Sequence, residues 1–445
     1  MGSAATGVIA AAQTLGCAAA PHAATAAVPT APSPRPAAPG SAPAAGASGP
    51  DWSAIRAQFE LTDQYVHMAC LLVSSHPRVV RDAIAEHRRA LDANPADYLH
   101  RRWVWKAENI EEDGEERAAR AAARYLATDP DLIALTDSTT MGLAMVYNGI
   151  VMRPDQEILS TEHEHGATRN ALGFRGQRTG CPVRTIRLYD DPAAVSADHL
   201  VRALIDQIRP ETRVVATTWV HSNSGVKLPI GRMGAEIAAR NHGRSPENRI
   251  LFCVDGVHGF GVEDVTIADL RCDFFVAGCH KWLLGPRGTG IIWAAPHAWE
   301  QCIPTIPSFS GVARQSPGRL MTPGGFHSFE HRWALPAAFD FHLGIGKASV
   351  VARIHALASQ LKRGLAEIPG VTLLTPMSDE LSAGIVVFQV AGKSAEDVDR
   401  ALHARGVIAT TTPRPPTAPR LTPGMYNTPE EIERTLAAVR AVAAA

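Results

Sequence analysis

Lysine is scarce: six among 43 lysines and arginines in 445 residues. A chain that uses arginine wherever a generic cation suffices has kept its few lysines for something a guanidinium cannot do, such as losing a proton. The seven cysteines (Cys17, Cys70, Cys181, Cys253, Cys272, Cys279, Cys302) never fall in Cys-x-x-Cys spacing. Several sit in apolar runs, which fits buried reduced thiols rather than a disulfide framework or zinc site. No apolar run reaches the ~18–20 residues of a membrane helix. Net charge is −1 and the sequence pI about 7.0, so there is no general electrostatic case for nucleic acid or membrane. Histidines are frequent, yet His87, His100, His297 and His355 lack ligand spacing, and His163 and His165 lack an evident third ligand; no metal is assigned.

The first fifty residues also lack something. They are almost all Ala, Pro, Gly, Ser and Thr, with one basic residue, Arg35. Such a segment buries too little apolar surface to offset its ordering entropy, so disorder is expected over 1–50. Its short apolar stretch before Cys17 is signal-like but has no positive n-region. Localisation is left between the cytoplasm and export of a folded protein from a longer precursor.

From Trp52 onward, apolar strand-like runs alternate with helical patterns. Helices are expected over 77–93 and 108–125, and strands at Val214-Val215-Ala216-Thr217-Thr218, Leu251-Phe252-Cys253-Val254, Phe274-Phe275-Val276 and Gly290-Ile291-Ile292-Trp293. That alternation predicts an α/β fold with a mostly parallel sheet covered on both faces. A second pattern follows a helix over 335–346: helix 349–365, strands at 371–374 and 385–388, helix 395–405 and a terminal helix from Pro429. The expected division is 51–330 for the large domain and 331–445 for a smaller α+β domain. Trp103 and Trp105 read as a packed amphipathic segment.

One of the six lysines, Lys281, follows the run Phe274-Phe275-Val276-Ala277 inside Gly278-Cys279-His280-Lys281-Trp282. An amine delivered by a strand to a glycine-rich turn can form an imine with an aldehyde. Upstream, Leu251-Phe252-Cys253-Val254 ends at Asp255-Gly256-Val257-His258. A carboxylate at the carboxyl end of a parallel strand points into the crevice where α/β sheets bind ligands. A lysine for the aldehyde and an aspartate to keep the ring nitrogen protonated are what pyridoxal phosphate requires. Ser138-Thr139-Thr140, between a strand and a helix, offers donors to an anion, though hydroxyl residues there are also ordinary caps. In Glu164-His165, the histidine is placed to lie flat on an aromatic ring.

These segments, with His221-Ser222-Asn223-Ser224-Gly225 and Arg420-Leu421-Thr422-Pro423-Gly424-Met425-Tyr426-Asn427, resemble the class V aminotransferase family of fold type I pyridoxal-phosphate enzymes, and within it the isopenicillin N epimerase-like branch. The resemblance covers roughly residues 60–440. It implies Lys281 as the imine-forming lysine, Asp255 as partner of the pyridine nitrogen, and His165 stacked on the ring. It implies His258 near the ring hydroxyl, phosphate held by Ser138, Thr139, Thr140 and His280, and Ser222 or Asn223 near the ring oxygen. Arg420 would clamp a substrate carboxylate, with a planar fork suited to bidentate binding. Arg287 is left open between a phosphate or substrate contact and a role in the turn. The implied partners are an amino acid or amine and a second copy of the chain.

The chain departs from the resemblance in two places. Phe326 stands where relatives often carry a threonine that reaches the partner subunit's phosphate. The stretch 408–416 has no cysteine, which argues against persulfide-forming desulfuration. Transamination and epimerisation are the expected reactions. C–S or β-elimination and oxygen-dependent oxidation are alternatives, and a non-catalytic regulator is a distant one.

Overall fold

The computed structural model describes residues 49–103, 112–309 and 315–445. The expectation of disorder over 1–50, apart from its last two residues, lies outside the described residues, as do Trp105 and the start of the helix expected from 108. That helix is described from Gly114 to Leu126, where Asp113 caps it by accepting from the Glu115 and Glu116 N–H groups.

Seven strands form the central sheet: β1 (Ile133–Thr136), β2 (Glu157–Thr161), β3 (Val183–Ile186), β4 (Thr212–Thr218), β5 (Leu251–Asp255), β6 (Phe274–Gly278) and β7 (Gly290–Ala294). Their order is β1-β7-β6-β5-β4-β2-β3, and β7 alone runs against the rest. Because β7 is antiparallel to both β1 and β6, the carboxyl end of β1 emerges on the same side as those of the parallel strands. The first turn of the helix Thr139–Gly149 therefore meets the ends of β4, β5 and β6.

Apolar runs form the inner strands because both sheet faces are covered, so every position is buried except in the edge strand β3, which is partly exposed throughout. Successive side chains go to opposite cores. Phe252 and Val254 of β5, with Phe275 and Ala277 of β6, join one; Leu251 and Cys253, with Phe274 and Val276, join the other.

A second sheet, all antiparallel, is built from β8 (Val371–Leu373), β9 (Val386–Val390), β10 (Thr410–Thr411) and β11 (Pro419–Leu421), in the order β10-β11-β9-β8. The helices Lys347–Ala366 and Pro429–Ala444 cover it through Leu357, Leu361, Leu365, Ile432 and Leu436. The helix Leu335–Ile345 packs against Gly114–Leu126, with the Phe339 ring 5.5 Å from the Tyr125 ring. Trp103 is buried and its ring lies 5.1 Å from that of Phe329.

Candidate active site

Asp255 ends β5, and the next residue has to be glycine. A β-carbon on Gly256 would sit 2.0 Å from the Phe275 ring. The chain can thus turn sharply beneath the sheet edge and leave the carboxylate buried, accepting one hydrogen bond from Val257 N–H (3.2 Å). Lys281 follows β6 in a turn closed by Leu284 N–H to the Lys281 carbonyl (2.9 Å) and Gly285 N–H to the Cys279 carbonyl (2.8 Å). Trp282 anchors this turn: it is buried, and its indole N–H donates to His258 Nδ1 (3.2 Å). One aromatic residue thereby ties the lysine's turn to the loop that follows Asp255.

A pocket at these strand ends is lined by Ser138, Thr139, Thr140, His165, Ser222, Asp255, His258, His280 and Lys281, joined by Thr218 and Val257. Nine of the residues singled out from the sequence therefore converge. Asn223 does not: it lines the adjoining cavity, and its Nδ2 donates to the Arg414 carbonyl (3.3 Å). Of the two neighbours, Ser222 belongs to the pocket. Arg420 lies at its edge, in strand β11 rather than a loop. Its Nη1 donates to the Ser222 carbonyl (2.8 Å) and its Nε to Thr410 Oγ1 (3.1 Å). Arg287 is exposed and outside the pocket.

The electrostatics are those of a desolvated site. Burial pushes the Lys281 amine down to about 8; the Asp255 charge opposes this and the Arg420 charge adds to it. Burial pushes Asp255 up to about 6, against the Val257 N–H and the Lys281 charge. His258 is held well below the ordinary histidine range by burial and by nearby cations, so it is neutral. Since its Nδ1 accepts from Trp282, Nε2 carries the proton and is a donor. Burial, then Lys281, also lowers His165, whose Nδ1 accepts from Ala167 N–H (3.1 Å) as the cap of the helix Gly166–Thr179.

These residues fit an aldehyde cofactor carrying a phosphate. His280 Nδ1 is buried with no hydrogen-bond partner. A β-carbon on Gly278 would lie 2.9 Å from Thr139 Oγ1 and 3.0 Å from the His280 ring, so the glycine keeps a small cradle clear between them. Thr139 Oγ1 accepts from Gly278 N–H (2.8 Å), which leaves its own proton to donate. The helix Thr139–Gly149, capped by Ser138, turns its first N–H groups to the same place, a ready anion site. Asp255 would offer a buried carboxylate to a ring N–H. Among the described residues no three His, Cys, Asp or Glu side chains cluster as a metal site, and no helix is long and apolar enough to cross a membrane.

Sequence reasoning gave Glu164, His221 and Arg414 no chemical role. Glu164 is fully buried beneath the pocket, accepts from Thr161 Oγ1 (2.6 Å) and from Thr218 Oγ1, and is pushed up to about 7 by burial. His221 Nε2 is 4.0 Å from it, and His221 Nδ1 shares a hydrogen bond with Tyr189 Oη (2.8 Å). The visible signal was a run of hydroxyls at a strand end, Thr217-Thr218, beside a Glu-His pair.

Isopenicillin N epimerase of Streptomyces clavuligerus is 29% identical over 415 residues, covering 88% of this chain and 98% of that protein. A probable cysteine desulfurase of Streptomyces coelicolor is 26% identical over 419 residues, covering 86% and 95%. Among solved structures, the cystine C–S lyase C-DES in complex with its product cysteine persulfide superposes with a TM-score of 0.75 at 22% identity, covering 85% of this chain and 98% of that one; at that identity the likeness shows the fold alone. The family model for aminotransferase class-V matches residues 73–434. With that match spanning most of the sequence and the strand-end pocket built as described, the chain belongs to the class V aminotransferase family, fold type I enzymes that use pyridoxal phosphate.

Proposed function

We propose that this chain acts at the α-carbon of an amino acid, moving the α-proton in epimerase or aminotransferase fashion. The observation that carries this reading is the convergence of Lys281 and Asp255, from neighbouring strands, in one desolvated pocket where the amine is held near 8. Such an amine is a competent base and acid close to neutral pH, which proton transfer at carbon demands. Pyridoxal phosphate, when bound, supplies the electron sink that makes the α-proton acidic.

The residues then divide the work. Thr139, Thr140, His280 and the helix N-terminus behind Ser138 hold the phosphate. Asp255 would keep a proton on the ring nitrogen, His258 Nε2–H would donate on the hydroxyl side, and His165 would cover one ring face. Arg420 would pair with the substrate carboxylate, fixing the Cα–H bond toward Lys281, which would take the proton; a proton delivered to the opposite face of Cα would complete an epimerisation, and one delivered by Lys281 to the cofactor's aldehyde carbon a transamination. The likeness to isopenicillin N epimerase supports the epimerase form. Against persulfide formation stand the cysteine-free stretch 408–416 and the burial of all six described cysteines.

The test is a spectral titration of the cofactor-loaded protein with a panel of L- and D-amino acids. A perturbed cofactor band with accumulation of the enantiomer names an epimerase, and of a keto acid a transaminase. Release of a thiol, or of ammonia with peroxide, would assign a lyase or an oxidase instead. A cofactor band that no amino acid perturbs would overturn the reading.

We also propose a homodimer. Leu72 is 57% and Val73 51% exposed, next to Ser74, whose N–H donates to the His280 carbonyl (3.3 Å). Phe326, in the position where a threonine would reach across, is 75% exposed. Apolar surface beside a phosphate site is what a partner subunit would cover. Light scattering at micromolar concentration checks this: a dimer is expected, and a fully active monomer would contradict it.

A further inference from the structure

Next to the pocket lies a second cavity of about 530 Å³. The turn His221-Ser222-Asn223-Ser224-Gly225 is the wall between them, with Ser222 on the first side and Asn223 and Ser224 on the second. The opposite wall is the Pro-rich loop joining β10 to β11, which carries Arg414. Its position is set by the backbone, because Asn223 Nδ2 holds the Arg414 carbonyl and Arg414 Nη1 donates to the Glu162 carbonyl (2.8 Å).

The charges of the cavity are unevenly matched. Glu162 and Asp190 both pair with Arg187, at 2.8 and 3.0 Å. Asp191 accepts from Ala193 N–H. Among the described residues Arg414 makes no ion pair; its guanidinium donates only to the Glu162 carbonyl, and its Nε and the Asn223 Oδ1 are buried without partners. The Arg414 charge also reaches the pocket, where it lowers His165. A half-buried guanidinium that feels the buried Glu164 charge but forms no ion pair with it, beside an unpaired amide oxygen and one residue from the pocket wall, is a preformed half of a charge-assisted pair.

We propose that the second cavity receives the substrate's side chain and that Arg414 selects amino acids whose side chain ends in a carboxylate. This rests on the reading of Arg420 as the holder of the α-carboxylate. A bound substrate then lies across the Ser222–Asn223 wall, one carboxylate on Arg420 and the other on Arg414.

Calorimetric titration of the cofactor-loaded protein with glutarate, pentanoate and 5-(trimethylammonio)pentanoate, none of which can form an imine, tests this without any turnover. Glutarate is expected to bind at least ~10-fold tighter than pentanoate, the difference of one charge-assisted pair. Arg414→Gln should bring the two within about threefold, and Arg414→Glu should favour 5-(trimethylammonio)pentanoate over glutarate. Equal binding of glutarate and pentanoate to the unaltered protein, or a gap that survives Arg414→Gln, overturns the proposal. Arg420→Gln should weaken all three ligands. If it weakens none while the Arg414 effects persist, the role given to Arg420 fails and the Arg414 subsite stands.

Discussion

Two sets of charges lie at the strand-end pocket and beside it, and they are built on opposite principles. In one, Arg319 Nη2 lies 3.0 Å from both Asp113 and Glu116, while Arg332 bridges Glu115 and Asp137 at 2.9 Å each. Every carboxylate there has a guanidinium. In the other, Asp255 accepts a single backbone N–H and Lys281 joins no ion pair among the described residues. Pairing holds charges in place and serves the fold. Leaving them under-paired in a desolvated pocket drives both toward neutrality, which is how a site is made reactive. Arg332 connects the two sets, since Asp137 precedes the Ser138 cap of the phosphate-site helix.

That contrast can be broken by substitution. Lys281→Ala should abolish turnover and covalent attachment of the cofactor while changing the unfolding midpoint little, because it removes a charge that burial already disfavours. Retained attachment at the unaltered rate would remove Lys281 from its role. Arg332→Ala should do the reverse. Stripping one partner from a buried cluster costs about 3–5 kcal/mol, visible in urea unfolding, and weakens cofactor loading through Asp137. If Arg332→Ala unfolds like the unaltered protein, the cluster is not structural.

Asp255→Asn should still load the cofactor but lose most of its turnover, since an amide cannot keep the ring nitrogen charged. Near-normal turnover would contradict this. Arg420→Lys should lower kcat/KM by about 30- to 1000-fold, the loss of a bidentate pair worth roughly 2–4 kcal/mol, because a lysine lacks the fork. A change within about twofold would mean that the substrate carboxylate is held elsewhere.

Asp255 and Lys281 were legible because their signal is local: an apolar run followed directly by Asp255 and Gly256, and another followed by Gly278 and, three residues on, Lys281. The helix over 77–93 was legible from Val80, Ile84 and Leu91 interspersed with arginines, and is observed at Arg78–Ala93. Arg420 could be named but not placed. Its Pro-Gly surroundings suggest a loop, yet Pro419 opens β11, where a strand tolerates proline, and Arg420 pairs with Val387 and Thr410. Arg414 could not be given a role at all, because the contact that positions it reaches Glu162, 252 residues away. Ser222 and Asn223 could not be told apart, since adjacent residues point to opposite sides of a wall that only the packed turn defines.

The central claim is that burial, more than any partner, tunes the Lys281 amine. The pH dependence of cofactor attachment to the apo-protein measures this directly, because only the neutral amine attacks an aldehyde. An amine lowered from the ordinary 10.5 to about 8 is protonated and slow below that pH and free above it, so the attachment rate should rise through a midpoint near 8. Arg420→Gln should move the midpoint up, since the arginine's charge lowers it, and Asp255→Asn should move it down, since the aspartate's charge raises it. A midpoint near 10.5, unmoved by either substitution, would contradict the account.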